Sequence, residues 1–183
     1  MVRKVRSAAG KGRRTTVIAG MVGMVVGLVG SAQAQTDEVG LPLGTVPESV
    51  IIEDLEGNDV DLGQYIGGRP TLFQFWATWC EQCKQLEPKM IAAHEQFGDR
   101  VDFIAVSVAI NQSKRSILRH LEKNPVPHVV LWDTRGRAVR AFAAPTTSYV
   151  VVLDAEGKVA YTGVGPDQDI DAAIMRVVEE TEQ

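Results

Sequence analysis

The chain of 183 residues is 45% hydrophobic and 23% charged, with a formal net charge of −4. Six of its 19 Lys and Arg lie in the first 34 residues, so the remaining 149 residues hold 13 basic and 23 acidic side chains, a net of −10. This acidic remainder has no Lys/Arg cluster with interleaved aromatic residues, which excludes nucleic acid as a partner, and its length suits one domain with a full hydrophobic core.

Residues 1–34 have the order of a secretory signal. A basic stretch ends at Arg14, residues 15–30 are uncharged, and Ser31-Ala32-Gln33-Ala34 forms a small-x-small cleavage site. We therefore expect cleavage near Ala34 and a periplasmic or otherwise extracytoplasmic mature protein. An uncleaved membrane anchor is the alternative, but the apolar run is shorter than the roughly 20 residues that a span needs.

The first part of the predicted mature chain leads into a strand and a long helix. Residues 35–49 are rich in Gly, Pro and acids and are predicted to be a lead-in to a domain at 50–183. Val50-Ile51-Ile52 and Val60-Asp61-Leu62, on either side of Gly57-Asn58, predict a hairpin. A β-branched and aromatic run at 70–76 predicts a buried strand, and the apolar spacing over 80–97 predicts a helix that Gly98 ends.

The remaining elements alternate between strands and helices. Strands are predicted at 101–108 and 129–132, helices at 113–123 and 135–143, a hairpin from 149–153 and 158–161, and a last helix at about 167–179. This order predicts the α/β class, with a three-layer α/β/α sandwich. No second domain and no internal repeat is visible, and we expect a monomer.

The two cysteines of the chain, Cys80 and Cys83, directly follow Trp79 at the junction of the predicted buried strand and helix. Free backbone N–H groups and the positive end of the dipole at a helix start stabilise a thiolate. This placement predicts a redox-active dithiol in which Cys80 is the nucleophile and Cys83 the resolving thiol. Glu81 lies beside the nucleophile and opposes thiolate formation, which favours a reducing potential.

A Cys-x-x-Cys pair has two other interpretations. A structural disulfide closing so short a loop would stabilise the fold by only roughly 2 kcal/mol, so it is a poor staple. Structural zinc needs four ligands, and the three histidines show no paired spacing, so we predict no metal site. Copper binding by Cys80, Cys83 and His128 stays open as an alternative function.

The sequence resembles the TlpA/ResA-like group of extracytoplasmic thioredoxin-fold oxidoreductases over residues 39–178. The resemblance rests on three stretches: Phe75-Trp76-Ala77-Thr78-Trp79-Cys80-x-x-Cys83, the lead-in Asp54-Leu55-Glu56-Gly57, and Ala144-Pro145-Thr146-Thr147 with Leu153-Asp154-x-x-Gly157 downstream. It implies a thioredoxin-like fold with a central mixed sheet and an N-terminal hairpin extension. It also implies a redox-active disulfide as the reactive group, with no other cofactor.

The resemblance further implies a substrate groove beside the dithiol. Trp79, Ala144, Pro145 and Thr146 would line it, with a cis Ala144–Pro145 bond that leaves the backbone groups of Ala144 free to pair with an extended substrate. The resemblance therefore implies that the protein reduces disulfides of partner proteins. Apocytochrome c thiols are candidate substrates, and a membrane protein would be the electron donor. A peroxiredoxin-like peroxidase is the other alternative within this fold.

Three departures from the family pattern affect tuning of the dithiol. Gln82 replaces the proline common before the second cysteine, and Gln74 stands where cytoplasmic thioredoxins have a buried acid. Many members place a functional Glu three residues after the second cysteine, whereas here Leu86 has that position and Glu87 follows. A shift of one residue rotates a helical side chain by about 100°, so we expect Glu87 to reach the thiols poorly. We expect Gln74, together with water, to serve the proton relay.

Overall fold

A mixed β-sheet of seven strands forms the centre of the computed structural model, which describes residues 39–181. The predicted signal segment and residues 35–38 lie outside the described residues. In chain order the strands are β1 Ile51–Asp54, β2 Asp59–Asp61, β3 Thr71–Trp76, β4 Asp102–Val108, β5 Val129–Asp133, β6 Tyr149–Leu153 and β7 Val159–Gly163. Across the sheet their order is β2-β1-β5-β4-β3-β6-β7.

The pairing of the strands puts β3 in the interior of the sheet. It runs parallel to β4 and antiparallel to β6, and β4 in turn runs parallel to β5. Both predicted hairpins are confirmed as antiparallel pairs, β1 with β2 and β6 with β7. Since β1 also pairs with β5, the N-terminal hairpin extends the sheet rather than standing apart from it.

In the described part of the chain four α-helices connect and cover the strands: α1 Glu81–Phe97, α2 Lys114–Lys123, α3 Arg137–Ala141 and α4 Ile170–Thr181. A 3-10 turn at Leu62–Tyr65 was not predicted. Ser113 caps α2 in a reciprocal capping box with Ser116.

Two helices start later than predicted, and an acidic side chain before each accepts N–H groups of its first turn. The buried Asp133 carboxylate accepts the N–H groups of Arg137 and Val139, so α3 begins after it. Asp169 accepts the N–H of Ala172 and thus marks the start of α4.

The helices lie on both faces of the sheet, which confirms the three-layer α/β/α sandwich. Apolar positions of α1 and α4, among them Leu86 and Ile174, bury against Leu72 and Val152 on one face. On the other face Phe142, just after α3, packs its ring 4.6 Å from that of Phe73. Side chains alternate along a strand, so β3 sends one set of residues to each layer.

The lead-in is bound to the far edge of this sheet. The Leu41 N–H donates to the Tyr149 hydroxyl at 3.1 Å, and Gly44 and Thr45 exchange backbone hydrogen bonds with Val159. Within residues 39–181 no helix is long and apolar enough to cross a bilayer.

Candidate active site

The dithiol stands where β3 passes into α1. The Cys80 N–H donates to the Ala77 carbonyl at 3.0 Å, and this tight turn brings Cys80 to the N-cap of α1. Cys80 and Cys83 form a disulfide and are 4% and 5% exposed. The structure therefore confirms that both cysteines lie at the junction of a strand and a helix.

Cys80 uses its sulfur as the helix cap. Its Sγ accepts the N–H of Cys83 at 3.1 Å, a hydrogen bond that an N-cap side chain normally makes through oxygen. In the dithiol form this N–H and the dipole of the 17-residue α1 would both favour a negative charge on Cys80. The arrangement suits Cys80 to attack and Cys83 to resolve.

The acid beside the nucleophile is partly compensated. Glu81 forms an ion pair with Lys84 at 3.1 Å, and both side chains are exposed. Because solvent screens exposed charges and Lys84 opposes the carboxylate, the expected effect of Glu81 on a Cys80 thiolate is weakened.

Trp79 lies on the surface beside the dithiol, 47% exposed. Its indole N–H donates to the backbone oxygen of Ile110 at 2.7 Å, and Ile110 is itself 58% exposed. The Gln112 side chain accepts the N–H of Thr78 and donates to Ser107, which joins the loop after β4 to the dithiol loop. Sequence reasoning missed Ile110, whose only signal was a large apolar residue in a polar loop.

The segment at Pro145 differs from the expectation. None of the peptide bonds within residues 39–181 is cis, so the predicted cis Ala144–Pro145 bond is wrong. The chain reverses instead through positive φ angles at Ala143 and Ser148, and the Ala144 N–H donates to Val139, closing the end of α3. That N–H is thus not free for a substrate. Pro145 and Thr146 are exposed.

Ser148 contacts the dithiol loop from the start of β6. It is fully buried at a φ of 66°, its hydroxyl donates to Gln82 Oε1 at 3.0 Å, and the same oxygen accepts the Gly165 N–H at 3.1 Å. Ser148 was not predicted as a site residue, because the resemblance points to the Pro-Thr-Thr motif that begins three positions upstream. The available signal was its place directly before the buried run of β6.

A small cavity lies behind Cys83. Its volume is about 20 Å³, and its lining includes Cys83, Gln74, Glu87, His120 and His128. A cavity of this size and polarity has room for about one water molecule.

Glu87 lines the same small cavity as Cys83. It follows Cys83 by four residues on α1, and residues so spaced share one face of a helix. Glu87 and His120 also line a larger groove of about 730 Å³ between α1 and α2. The two residues therefore stand between the cavity and the outer groove.

The buried edge of the cavity carries two polar atoms, Trp76 Nε1 and His128 Nδ1, that have no hydrogen-bond partner in the described part of the chain. Burial, with a smaller effect from the charge of His94, lowers the pKa of His128 to about 4. His128 thus lines the cavity as a neutral imidazole. Among residues 39–181 no group of three or more His, Cys, Asp or Glu side chains is placed to hold a metal ion.

Comparisons with known proteins agree with this geometry. The Redoxin family model matches residues 42–176. Sporulation thiol-disulfide oxidoreductase A of Bacillus subtilis is 22% identical over 84% of the chain and 90% of its own length. Thiol-disulfide oxidoreductase ResA of the same organism is 27% identical over 67% of each chain.

One solved structure shows the same fold. The crystal structure of a putative thiol:disulfide interchange protein DsbE from Chlorobium tepidum superposes with a TM-score of 0.67 at 21% identity. It covers 75% of this chain and 99% of that one.

Proposed function

Since this chain belongs to the redoxin family and is a thiol-disulfide oxidoreductase, we propose that it works outside the cytoplasm and reduces disulfides of partner proteins. The observation that carries the proposal is the Cys80–Cys83 disulfide with Cys80 at the N-cap of α1. A thiolate at that position is stabilised without any further group.

The reaction conserves atoms and electrons within two exchange steps. The Cys80 thiolate attacks one sulfur of the substrate disulfide, forming a mixed disulfide and releasing the first substrate thiolate. Cys83 then loses its proton and attacks the Cys80 sulfur, which closes the Cys80–Cys83 disulfide and releases the second substrate thiolate. Two electrons pass to the substrate, and the enzyme needs an upstream dithiol donor, at the membrane, to be reduced again.

The cavity behind Cys83 supports a route for the proton of the resolving thiol. Cys83 and Gln74 line it together with Glu87, which also borders the outer groove. One water in the cavity would pass the proton from Cys83 to Glu87 and on to solvent. Glu87 thus takes the role of general base that a buried acid at position 74 would otherwise have.

The substrate groove is proposed around the exposed face of the dithiol loop. Trp79 and Ile110 form one wall, and Ala144, Pro145 and Thr146 contribute the other. Since the Ala144 N–H is engaged with Val139, its carbonyl is the group left to pair with an extended substrate backbone.

The proposed compartment and the proposed class of partner are both supported by the amino-acid sequence. The basic, apolar and small-x-small order of residues 1–34 supports export, and the acidic mature chain favours neutral or basic partners. Cysteine pairs of apocytochrome c are one such substrate class. N-terminal sequencing of the exported protein tests the first point: a mature chain that starts at Gln35 supports it, and a retained Met1 contradicts it.

The direction of the reaction is tested by equilibrating the purified protein with glutathione redox buffers and quantifying free thiols. A reduction potential near about −270 mV makes it a reductant, whereas a value near about −120 mV makes it an oxidant and overturns the proposed direction. A Cys80→Ser variant should show no exchange in the same buffers.

A further inference from the structure

Ser148 connects the dithiol loop to the body of the sheet. Its N–H donates to the Phe75 carbonyl at 2.8 Å, and its carbonyl accepts Gln168 Nε2 at 3.0 Å. Gln168 is buried, and the same Nε2 also donates to the Gly165 carbonyl at 2.7 Å. The backbone of Ser148 is therefore fixed from both sides, although a φ of 66° is unfavourable for serine.

The hydroxyl of Ser148 has a defined direction. Its oxygen accepts the Gly165 N–H, so its own hydrogen is available for Gln82 Oε1 at 3.0 Å. Gln82 lies inside the ring that the Cys80–Cys83 disulfide closes. Its side chain is exposed, and this hydrogen bond ties it to a fully buried partner.

We propose that Ser148 is a positioning residue for the proposed redox function: by holding Gln82, it keeps the dithiol loop in the geometry of the disulfide and thereby lowers the reduction potential. The hydrogen bond to Ser148 preorganises the dithiol loop. A free dithiol loop gains freedom when the disulfide opens, and a tether on Gln82 limits that gain. The tether thus raises the effective concentration of one thiol near the other, which favours ring closure.

A structural role alone makes a different prediction. The reduction potential measures the stability of the disulfide form relative to the dithiol form of the folded protein. A buried hydroxyl that only stabilises the fold contributes equally to both forms and leaves the potential unchanged. Thr71 is such a hydroxyl: it is fully buried at the other end of β3, and its Oγ1 donates to the Arg69 carbonyl.

The experiment compares Ser148→Ala, Gln82→Ala and the double variant with the unchanged full-length protein, each equilibrated with glutathione buffers. We expect each single variant to lower the equilibrium constant for disulfide formation three- to tenfold, where tenfold corresponds to about 30 mV. Because both substitutions remove the same hydrogen bond, the double variant should match the singles rather than add to them.

Matched controls are Thr71→Ala, a buried hydroxyl distant from the dithiol, and Gln85→Ala, an exposed glutamine on α1. In both control variants the equilibrium constant for disulfide formation should stay within twofold of the value for the unchanged protein. Should Ser148→Ala fail to fold, Gln82→Ala still tests the bond, since it changes an exposed side chain. Equal potentials in all variants, or additive effects in the double variant, would overturn the inference.

Failure of this inference is distinguishable from failure of the proposed function. All these variants keep Cys80 and Cys83. If the unchanged protein exchanges with glutathione and the variants share its potential, only the role of Ser148 is rejected. A protein that does not exchange with glutathione at all would reject both.

Discussion

Trp79 donates its indole N–H to the backbone oxygen of Ile110, so the dithiol loop is bound to a second loop that carries another exposed apolar residue. Most exposed apolar residues of the described chain, such as Met175 on α4, are distant from Cys80 in the sequence and on other elements. The Trp79–Ile110 pair is joined to the dithiol loop itself, where we propose that a substrate chain approaches.

The first prediction concerns recognition of peptide disulfides by Ile110. Replacing Ile110 with Ser removes one apolar contact, worth about 1–2 kcal/mol when buried, so kcat/KM for a peptide disulfide flanked by Leu should fall roughly five- to thirtyfold. A peptide flanked by Ser should be affected much less. The rates are measured by stopped-flow thiol release.

Met175→Ser is the matched control, since Met175 is 45% exposed on α4. It should change neither peptide's rate. Equal losses with the Leu-flanked and Ser-flanked peptides in Ile110→Ser would show that the side chain does not contact the substrate.

The second prediction separates the roles of the two cysteines. Cys83→Ser removes the resolving thiol, so a mixed disulfide through Cys80 should accumulate and be visible by non-reducing electrophoresis and mass spectrometry. Cys80→Ser should trap none, because Cys83 lies within α1 and not at the N-cap position that stabilises a thiolate on Cys80. Equal trapping by both variants would reverse the assignment.

Much of the fold could be predicted because its signals are local. The alternation and apolar runs of β3 and β4, the helical spacing from Leu86 to Phe97, and the Gly57-Asn58 turn each depend on neighbours in sequence. The dithiol was predicted for the same reason: two cysteines three residues apart directly follow a buried strand.

The rest of the site depends on contacts between distant segments. Ser148 meets Gln82 across 66 positions of sequence, and Trp79 meets a backbone oxygen 31 residues away. No residue type indicates such a bond, and the Pro-Thr-Thr motif wrongly predicts a cis Ala144–Pro145 bond. The expectation that Glu87 reaches the thiols poorly considers only its rotation on an isolated helix. Its actual environment depends on how α2 packs against α1.

The third prediction tests the proton route at Cys83. Glu87→Gln keeps the size of the side chain and removes the base, so resolution of the mixed disulfide should slow by about a hundredfold, the lower end of the range for general-base catalysis. The rate of the first attack by Cys80 should change little. Both steps are separated by rapid-quench mass spectrometry.

Glu95→Gln is the control for this route, because Glu95 lies on the same helix and lines the outer groove, while the cavity at Cys83 is lined by Glu87. It should leave both steps unchanged. If Glu87→Gln resolves as fast as the unchanged protein, the proton leaves Cys83 by another path.

The fourth prediction is an acid-sensitive stability due to His128. Its pKa falls from 6.5 to about 4 on folding, first through burial and then through the charge of His94, whose ring centroid is 6.4 Å away. Between these values the unfolded chain binds the proton and the folded chain does not. The free energy of unfolding should therefore decrease as pH falls from about 6.5 to 4, by up to about 3 kcal/mol.

Urea unfolding at about pH 7 and pH 4.5 measures this loss, and His128→Asn should remove most of it. The carboxyls of Asp54 and Asp61 do not add to the loss of stability expected between about pH 6.5 and pH 4. Hydrogen bonds, from Asn58 and Ser49 foremost, lower their pKa values below the ordinary 3.8, so the stability that they contribute is present above that pH and is lost only at more acid values. If His128→Asn loses as much stability between pH 7 and pH 4.5 as the unchanged protein does, the imidazole is already protonated in the folded protein at pH 4.5. The cavity behind Cys83 then holds a cation rather than a neutral ring at that pH.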